Sequence, residues 1–438
     1  MKLPFKLSRK GNNLKPETLN KEKTIIVGLQ LYDEPDIEDS MDELEELVKA
    51  AGGVVVFRII QKKKSVDPAY FIGRGKAYEI KEYCEIHDID TVVFNDELSG
   101  AQLRNLEDII DRKIIDRTNL ILDIFASRAT SKEGKLQVKL AQLKYRLPRL
   151  VGFRKYLSRT GGGIGTRGPG EQKLELDRRY ILKEINNIEK ALKEAKKTRD
   201  VKRKKRENAS IPIVALVGYT NAGKSTLLNR IIELYGDNDN SKKVFVYDML
   251  FATLETSLRQ AKLPNGQKFL ITDTVGFVSK LPTDLIEAFK GTIEEVSYAD
   301  LILHVVDASN KNLDIQIETT LDILRDLDVL DKPIITVFNK MDKKDKNELI
   351  YDTKNVEKKI FISAKKDKNL DQLLHMIMEN LPITYKEATF LIPYKNQPLI
   401  SYILNNYEYG NLEYLEEGVK LTVNISLTDY QRLKRFEV

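Results

Sequence analysis

The chain has 438 residues and a formal net charge of +6, and 42% of its residues are hydrophobic while 32% are charged. This length suffices for about three domains, and the apolar fraction suffices for a packed core. The single cysteine, Cys84, excludes an intrachain disulfide and, with only three scattered histidines, makes a zinc site unexpected. No run of about 18 apolar residues occurs, so neither a signal peptide nor a membrane span is expected, and a cytoplasmic location is predicted.

The first part of the chain is interpreted as a basic leader at 1–22, followed by a small α/β domain at 23–130. Short apolar runs alternate with segments of helical spacing there, which is typical of such a domain. The segment 73–76 is interpreted as a strand-to-helix turn, with a weak anion site as the alternative. The predicted strands are 24–29, 54–60 and 91–94, and the predicted helices are 37–51 and 80–87.

Residues 131–208 are predicted to form a long antiparallel helical hairpin. Apolar residues recur every three or four positions on both helices, with lysines and arginines between them. Pro148 is expected to kink or interrupt the first helix. The Gly-rich basic loop at 160–170 would then lie at the tip of an arm about 45 Å long.

The tip of the hairpin is predicted to contact RNA, because glycines allow close approach and arginines contact phosphates. RNA is favoured over duplex DNA, since no DNA-reading motif is visible. The alternative is a solvated charge run on an ordinary hairpin. The predicted RNA-binding residues are Arg149, Arg154, Arg159, Gly162, Gly163, Arg167 and Lys173.

A phosphate-binding loop, GYTNAGKS, occupies 218–225 between an apolar strand and a predicted helix. Its glycines permit backbone angles that let successive N–H groups point at one anion, and the helix start adds partial positive charge. Lys224 is predicted to reach the outer phosphates and Ser225 to hold Mg²⁺. The predicted phosphate-binding residues are Gly218, Tyr219, Thr220, Asn221, Ala222, Gly223, Lys224, Ser225 and Thr226.

Two switch motifs follow the loop. Thr253 is predicted to meet Mg²⁺ when the γ-phosphate is present, with Thr256 as the alternative, and Asp273 to hold Mg²⁺ through water. The N–H of Gly276 can touch the γ-phosphate. The switch residues predicted to bind nucleotide are Phe251, Ala252, Thr253, Leu254, Glu255, Asp273, Thr274, Val275 and Gly276. The predicted catalytic residues are Asn221, Lys224, Thr253 and Gly276, and the predicted metal ligands are Ser225, Thr253 and Asp273.

The sequence NKMD at 339–342 predicts that the base is guanine. The carboxylate of Asp342 can accept hydrogen bonds from the imide N–H and the exocyclic amine of guanine, a pair that adenine lacks. Lys340 would lie across the base. The predicted base-binding residues are Asn339, Lys340, Met341, Asp342, Ser363, Ala364 and Lys365, and the predicted ligands are GTP and GDP.

Two residues beside these motifs leave alternatives open. Phe277 occupies the position where many GTPases place a glutamine that orients the attacking water. Hydrolysis is therefore either slow until a partner or an ordered switch completes the site, or Phe277 merely packs. Asn221 can help to hold a monovalent cation, which makes K⁺ a second candidate cofactor beside Mg²⁺. A comparison of rates in potassium and sodium tests this hypothesis.

The predicted fold class of the whole chain is α/β. A GTPase domain at 209–383 is expected to have a mostly parallel sheet with helices on both faces. Residues 384–438 are expected to form a small C-terminal α/β domain, whose function the sequence does not indicate. The expected oligomeric state is a monomer.

These motifs resemble those of the HflX family of translational GTPases. The resemblance rests on GGGIGTRGPGEQKLELDRR at 161–179, GYTNAGKS at 218–225, LFATLE at 250–255 and DTVGF at 273–277, and it covers at least 24–383. It implies a cytoplasmic GTPase that binds the large ribosomal subunit and its rRNA. It also implies that the arm enters near the peptidyl-transferase centre and that stalled or stress-arrested ribosomes are split.

The resemblance also raises the question of ATP hydrolysis and leaves an alternative function open. Family members have been linked to ATP hydrolysis by the N-terminal domain, which the turn at 73–76 does not support. The alternative function is a nucleotide-gated rRNA-binding or subunit-assembly GTPase without splitting activity.

Overall fold

The computed structural model describes residues 21–33, 36–150, 169–207, 211–236, 257–274, 276–280, 294–343, 356–382, 385–407 and 409–438.

The N-terminal sheet has four parallel strands in the order β2-β1-β3-β4. The direction of winding reverses between β1 and β3, and the carboxyl ends of strands at such a point form a crevice. The strands are β1 (Lys23–Leu31), β2 (Val54–Lys63), β3 (Thr91–Phe94) and β4 (Lys113–Asp116). The helices are α1 (Glu38–Ala50), α2 (Arg74–His87), α3 (Gly100–Ile110) and α4 (Arg117–Arg128).

The spacing of apolar residues explains α1, which buries Met41, Leu44 and Leu47 on one face. The helix predicted at 80–87 is the second half of α2, which begins directly after Gly73. The N–H of Gly73 donates to Gln61 Oε1 at 2.7 Å, so this backbone donor is satisfied within the domain. The strand-to-helix connection therefore ends at Gly73, and residues 74–76 already belong to the first turn of α2.

The predicted hairpin is built from α5 (Lys132–Arg149) and α6 (Pro169–Glu207), which pack against each other. Pro148 lies in the last turn of α5, so α5 ends just after it rather than being kinked in its middle. Two ion pairs cross between the helices, Lys139–Glu184 at 2.6 Å and Lys144–Glu189 at 3.4 Å. The apolar contact between the helices is made by Leu140, Ile181, Ile185 and Ile188, with Leu136, Leu143, Leu147, Leu150 and Leu192 around them.

The central sheet has six strands in the order β10-β9-β8-β5-β7-β6, and only β6 is antiparallel to its neighbour. Alternate residues of β5 enter two different apolar clusters, Val214 in one and Ala215 in the other, so both faces of the sheet are buried. The strands are β5 (Ile213–Val217), β6 (Ser257–Lys262), β7 (Lys268–Asp273), β8 (Leu301–Asp307), β9 (Ile334–Asn339) and β10 (Lys359–Phe361). The described helices of this domain are α7 (Lys224–Tyr235), α8 (Leu313–Asp326) and α9 (Leu370–Asn380). The mostly parallel sheet confirms the predicted α/β class.

The C-terminal domain is a three-stranded antiparallel sheet in the order β11-β13-β12, packed on two helices. The carboxamide of Asn424 donates to the carbonyl oxygen of Asn265, so this domain contacts the turn between β6 and β7. Its elements are β11 (Tyr385–Ile392), α10 (Gln397–Asn406), β12 (Tyr409–Leu415), β13 (Gly418–Ser426) and α11 (Leu427–Leu433).

Within the described ranges, no helix combines the length and the apolar character needed to cross a membrane.

Candidate nucleotide-binding site

Two glycines of the phosphate-binding loop have backbone angles and close contacts that only glycine accommodates. Gly218 has a φ of 145° and Gly223 a φ of 92°. A β-carbon on Gly218 would lie 2.1 Å from the carbonyl oxygen of Val305, and one on Gly223 would lie 2.3 Å from Asn339 Nδ2. The loop can therefore take this shape only because both positions lack a side chain.

Lys224 begins α7 and is buried beneath the loop, with only 6% of its surface exposed. Its ammonium group donates to the carbonyl oxygens of Gly218 at 2.9 Å and Tyr219 at 2.7 Å. Burial lowers the pKa of Lys224 to about 8, and the neighbouring carboxylate of Asp273 opposes this shift. A negatively charged ligand beside the ammonium group would raise the pKa again, so Lys224 is suited to bind phosphate.

The two described residues predicted to hold Mg²⁺ lie next to each other. The hydroxyl of Ser225 is 2.6 Å from Asp273 Oδ2, and Asp273 is fully buried at the end of β7. A hydroxyl and one carboxylate, completed by water and phosphate oxygens, form the oxygen donor set that Mg²⁺ prefers. Across the residues that the structure describes, no group of three or more His, Cys, Asp and Glu residues could hold a metal by itself.

The second switch begins where β7 ends and pairs with the phosphate-binding loop through its backbone. The N–H of Thr220 donates to the carbonyl oxygen of Phe277 at 2.7 Å, and the N–H of Phe277 donates to that of Gly218 at 3.2 Å. A β-carbon on Gly276 would lie 3.0 Å from Lys224 Nζ. The predicted γ-phosphate contact and the predicted phosphate-binding lysine are thus neighbours.

The side chain of Asn339 joins the phosphate-binding loop to the loop after β10. Its amide nitrogen donates to the carbonyl oxygen of Ala222 at 2.9 Å, and its amide oxygen accepts from the N–H of Ala364 at 3.0 Å. Asn339 is 2% exposed, so both bonds are shielded from water. Asn339 therefore fixes the spacing between the phosphate end and the base end of the site.

Asp342 lies at the predicted base end, where the hydroxyl of Ser363 donates to its Oδ1 at 2.6 Å. This hydrogen bond lowers the pKa of Asp342, so the carboxylate is ionised at neutral pH. Its second oxygen can accept a hydrogen bond from a base. The recognition of guanine by Asp342 stays a prediction.

Lys340 also lies at the base end, with an unusual positive φ of 65°. Its ammonium group is 2.8 Å from Asp307 Oδ2 and 3.5 Å from Asn221 Oδ1. Asp307 was not predicted as a site residue, although an acidic residue at the carboxyl end of β8 was the available signal. The carboxylate of Asp307 therefore fixes the ammonium end of Lys340, the residue predicted to lie across the base.

The other predicted nucleotide contacts fall into two groups. Thr226 lies in the first turn of α7. The hydroxyl of Thr274 donates to the carbonyl oxygen of Leu216 at 2.7 Å. The N–H of Met341 donates to the carbonyl oxygen of Ile362 at 3.1 Å. Lys365 is exposed. The predicted residues Phe251, Ala252, Thr253, Leu254, Glu255 and Val275, together with the alternative Thr256, lie outside the described residues.

Of the predicted RNA-binding residues, the structure describes the side chain of Arg149 alone. Its guanidinium lies 2.8 Å from Glu97, 2.9 Å from the carbonyl oxygen of Leu98 and 3.4 Å from Asp116. Its side chain is 14% exposed. These contacts anchor α5 to the N-terminal domain, so the guanidinium of Arg149 is already engaged within the protein. Lys173 lies on α6, and Arg154, Arg159, Gly162, Gly163 and Arg167 lie outside the described residues.

Phe277 is 1% exposed and belongs to the apolar cluster that includes Val278 and Val296. A glutamine there would bury its amide among apolar side chains, where the amide could not orient the attacking water. We expect Phe277→Gln to lower the free energy of unfolding by about 2–4 kcal/mol without accelerating basal GTP hydrolysis. Thermal unfolding and phosphate release measure the two effects.

Phe277→Leu is the matched control, because it keeps the position apolar and should retain most of the stability. A rise in basal hydrolysis in Phe277→Gln that Phe277→Leu does not share would contradict the packing interpretation. It would support the hypothesis that a water-orienting group is missing.

Comparison with protein families finds three adjoining matches. Residues 38–126 match a model described as GTP-binding GTPase N-terminal, and residues 128–206 match one described as GTP-binding GTPase Middle Region. Residues 213–340 match a model described as 50S ribosome-binding GTPase.

Several curated proteins are similar to nearly the whole chain. GTPase HflX of Caldanaerobacter subterraneus subsp. tengcongensis is 45% identical over 97% of this chain and 96% of its own length. GTPase HflX of Escherichia coli (strain K12) is 39% identical over 95% of this chain and 96% of its own. Among solved structures, a GTP-binding protein from Sulfolobus solfataricus in complex with GDP is 26% identical, with a TM-score of 0.43, over 82% of this chain and 98% of that one.

Proposed function

Since the chain belongs to the HflX family of GTPases and therefore hydrolyses GTP, we propose that it binds the large ribosomal subunit and separates stalled or stress-arrested ribosomes. The observation that carries this proposal is the match of residues 213–340 to a model described as 50S ribosome-binding GTPase. The basic, Gly-rich sequence at 160–170 supports it, because that composition suits contact with rRNA. We propose that the protein acts in the cytoplasm as a monomer.

The proposed site chemistry assigns one task to each group. Lys224 neutralises charge that develops on the outer phosphates, and the N–H of Gly276 donates to the γ-phosphate. Ser225, Asp273 and Thr253 would hold Mg²⁺, which would supply positive charge to offset the negative charge of the phosphates. Asp342 reads the guanine, and the hydrogen bond from the Ser363 hydroxyl keeps the carboxylate ionised and oriented.

Hydrolysis resets ribosome binding in this proposal. GTP orders the switch segments and favours docking, and loss of the γ-phosphate removes the contact at Gly276 and favours release. Asn221, whose carboxamide lies 3.5 Å from the Lys340 ammonium group, remains a candidate ligand for K⁺. Equal hydrolysis rates in potassium and sodium would reject that role.

The proposed RNA contact predicts a selective binding defect. We expect Arg159→Ala combined with Arg167→Ala to weaken binding to isolated large subunits by at least about 10-fold, because two charge-assisted contacts to phosphate are lost. GTP affinity should stay within about twofold, since neither residue belongs to the nucleotide site. Co-sedimentation with a non-hydrolysable GTP analogue measures the first quantity and nucleotide titration the second.

The matched control is Lys395→Ala with Arg435→Ala, which removes the same charge from exposed positions of the C-terminal domain. Its binding should remain close to that of the unmodified protein. Equal losses in both double variants would indicate a non-specific charge effect, and undiminished binding in the first would contradict the proposed contact.

Light scattering distinguishes splitting from binding alone. With GTP or a non-hydrolysable analogue, the protein is expected to lower the scattering of whole ribosomes as the subunits separate. Binding without this decrease would favour the alternative of a nucleotide-gated rRNA-binding GTPase. Preference for immature particles over whole ribosomes in the pelleting assay would favour a role in subunit assembly.

A further inference from the structure

Four polar side chains from distant parts of the chain meet between the N-terminal domain and the phosphate-binding loop. Glu43, Arg117, Tyr219 and Ser279 form what we call the interdomain cluster. The hydroxyls of Tyr219 and Ser279 both donate to the carboxylate of Glu43. The guanidinium of Arg117 pairs with the same carboxylate and lies 3.0 Å from Ser279 Oγ. The N–H of Ser279 donates to the Tyr219 hydroxyl at 2.5 Å.

The cluster occupies the carboxyl edge of the N-terminal sheet. Glu43 lies on the helix after β1, and Arg117 directly follows β4. Asn95, directly after β3, accepts from Arg117 at 2.9 Å. In open α/β sheets this edge is where ligands bind. Here Tyr219 and Ser279 of the nucleotide domain occupy that place.

The charged members of the cluster are shielded from water. The side chain of Arg117 is 2% exposed and that of Glu43 is 12% exposed. A charge pair buried to this extent depends on every partner, because a lost partner leaves an uncompensated charge. Burial, together with the charge of Glu43, raises the pKa of Tyr219, so its hydroxyl keeps the proton that it donates.

The cluster is connected to the reacting end of the nucleotide through a short stretch of backbone. Ser279 follows Gly276 by three residues, which limits their separation to about 10 Å. Between them, Phe277 pairs with the phosphate-binding loop on both its N–H and its carbonyl oxygen. A displacement of Gly276 by the γ-phosphate would therefore be transmitted to Ser279, which the N-terminal domain holds.

Simple adhesion between the two domains is the competing explanation. Adhesion is already provided by one continuous apolar cluster, which includes Leu44 of α1 and Val278 next to Ser279. Adhesion alone also requires no contact with the phosphate-binding loop, whereas the Tyr219 hydroxyl donates directly to Glu43. Apolar packing therefore holds the two domains together, and the polar contacts fix the position of Ser279 and Tyr219 relative to the N-terminal domain.

We propose that Glu43 and Arg117 of the N-terminal domain are positioning residues for GTP hydrolysis. They hold Ser279, and through it Gly276, against the phosphate-binding loop, so that the N-terminal domain and the bound nucleotide act on each other. This proposal needs only the hydrolysis activity and is independent of ribosome binding.

Steady-state kinetics of Glu43→Gln and Ser279→Ala in the full-length protein test the proposal. Glu43→Gln keeps the shape of the side chain but removes its charge, and Ser279→Ala removes one hydroxyl. We expect kcat for GTP to fall by about 10-fold or more in Glu43→Gln, and in the same direction in Ser279→Ala, because the reacting geometry loosens. KM should stay within about twofold, since the nucleotide contacts are intact.

Glu45→Gln is the matched control on the same helix. Its carboxylate pairs with Lys49 and Arg58, both within the N-terminal domain. Its kcat should stay within about twofold of the unmodified value, because this pair does not reach the nucleotide domain. A loss as large as that of Glu43→Gln would assign the effect to general stability of α1 and overturn the proposal.

The double variant tests whether Glu43 acts through Ser279. If it does, Glu43→Gln with Ser279→Ala should have a kcat close to that of Glu43→Gln alone, because both changes break one network. Multiplied losses would show independent effects and contradict the proposal. So would an unchanged kcat in Ser279→Ala, a variant that removes one hydroxyl and decides the matter even where Glu43→Gln fails to fold.

Discussion

Lys224→Ala is expected to lower the rate of GTP hydrolysis by at least about 100-fold. Lys224 is 6% exposed, and its ammonium group donates to two carbonyl oxygens of the loop that would surround the phosphates. In such a water-poor site, a fixed positive charge stabilises developing negative charge far more than it would in bulk water. Phosphate release under single-turnover conditions, with GTP in the range that saturates the variant, measures the change.

The pKa of Lys224 provides a second readout of the same role. In the free protein this pKa is about 8, and bound phosphate raises it, so binding takes up a proton above that pH. GTP affinity should therefore fall as the pH rises past about 8 in the unmodified protein, with a weaker dependence in Lys224→Ala. The exposed Lys395→Ala variant is the control and should match the unmodified protein. Rapid hydrolysis by Lys224→Ala would contradict the assigned role.

Asp342→Asn is expected to weaken GTP binding by about 5- to 150-fold, which corresponds to roughly 1–3 kcal/mol for a lost and mismatched pair of hydrogen bonds. In the proposed contact the carboxylate would accept from two guanine donors, whereas an amide would present a donor to one of them. The Ser363 hydroxyl can still donate to the amide oxygen, which preserves the local geometry. Isothermal titration with GTP measures the loss.

The binding of xanthosine triphosphate provides a second test of the base that Asp342 recognises. Xanthine carries a carbonyl group where guanine carries its exocyclic amine, so it can accept the hydrogen bond that the amide of Asp342→Asn donates. Binding of this nucleotide should improve in the variant while GTP binding weakens. The exposed Asp326→Asn variant is the matched control and should alter neither affinity. Unchanged GTP affinity in Asp342→Asn would refute the assignment.

The parts of the fold that the sequence predicted are those encoded over a few consecutive residues. The strands of the central sheet other than β6 appear as short apolar runs, and the helix that buries Met41 and Leu44 is predicted by the spacing of those residues. The phosphate-binding loop and the Asn339–Asp342 motif are contiguous, and parallel strands bring their carboxyl ends to one edge. Most of the candidate nucleotide site can therefore be predicted from the sequence alone.

The features that the sequence could not indicate depend on pairs far apart in the chain. Glu43 and Ser279 are 236 residues apart, and no local pattern distinguishes Glu43 from the other acidic residues of α1. Arg149 lies in a basic stretch that predicted a contact with RNA. Only its neighbours in space, Glu97 and Leu98, show that it anchors α5 to the N-terminal domain. The strand β6 is equally invisible, because its sequence SLRQAK contains only two apolar residues, and its antiparallel pairing with β7 has no local signal.

The 236-residue separation between Glu43 and Ser279 also constrains how the protein is made. At about 5–20 residues per second, roughly 10–50 s of translation separate the emergence of these two residues. Until Ser279 emerges, Glu43 and Arg117 lack its hydroxyl, so the first domain has to tolerate a charged pair whose hydrogen bonds are not yet complete. The interdomain cluster is therefore completed only after the start of the nucleotide domain has been synthesised.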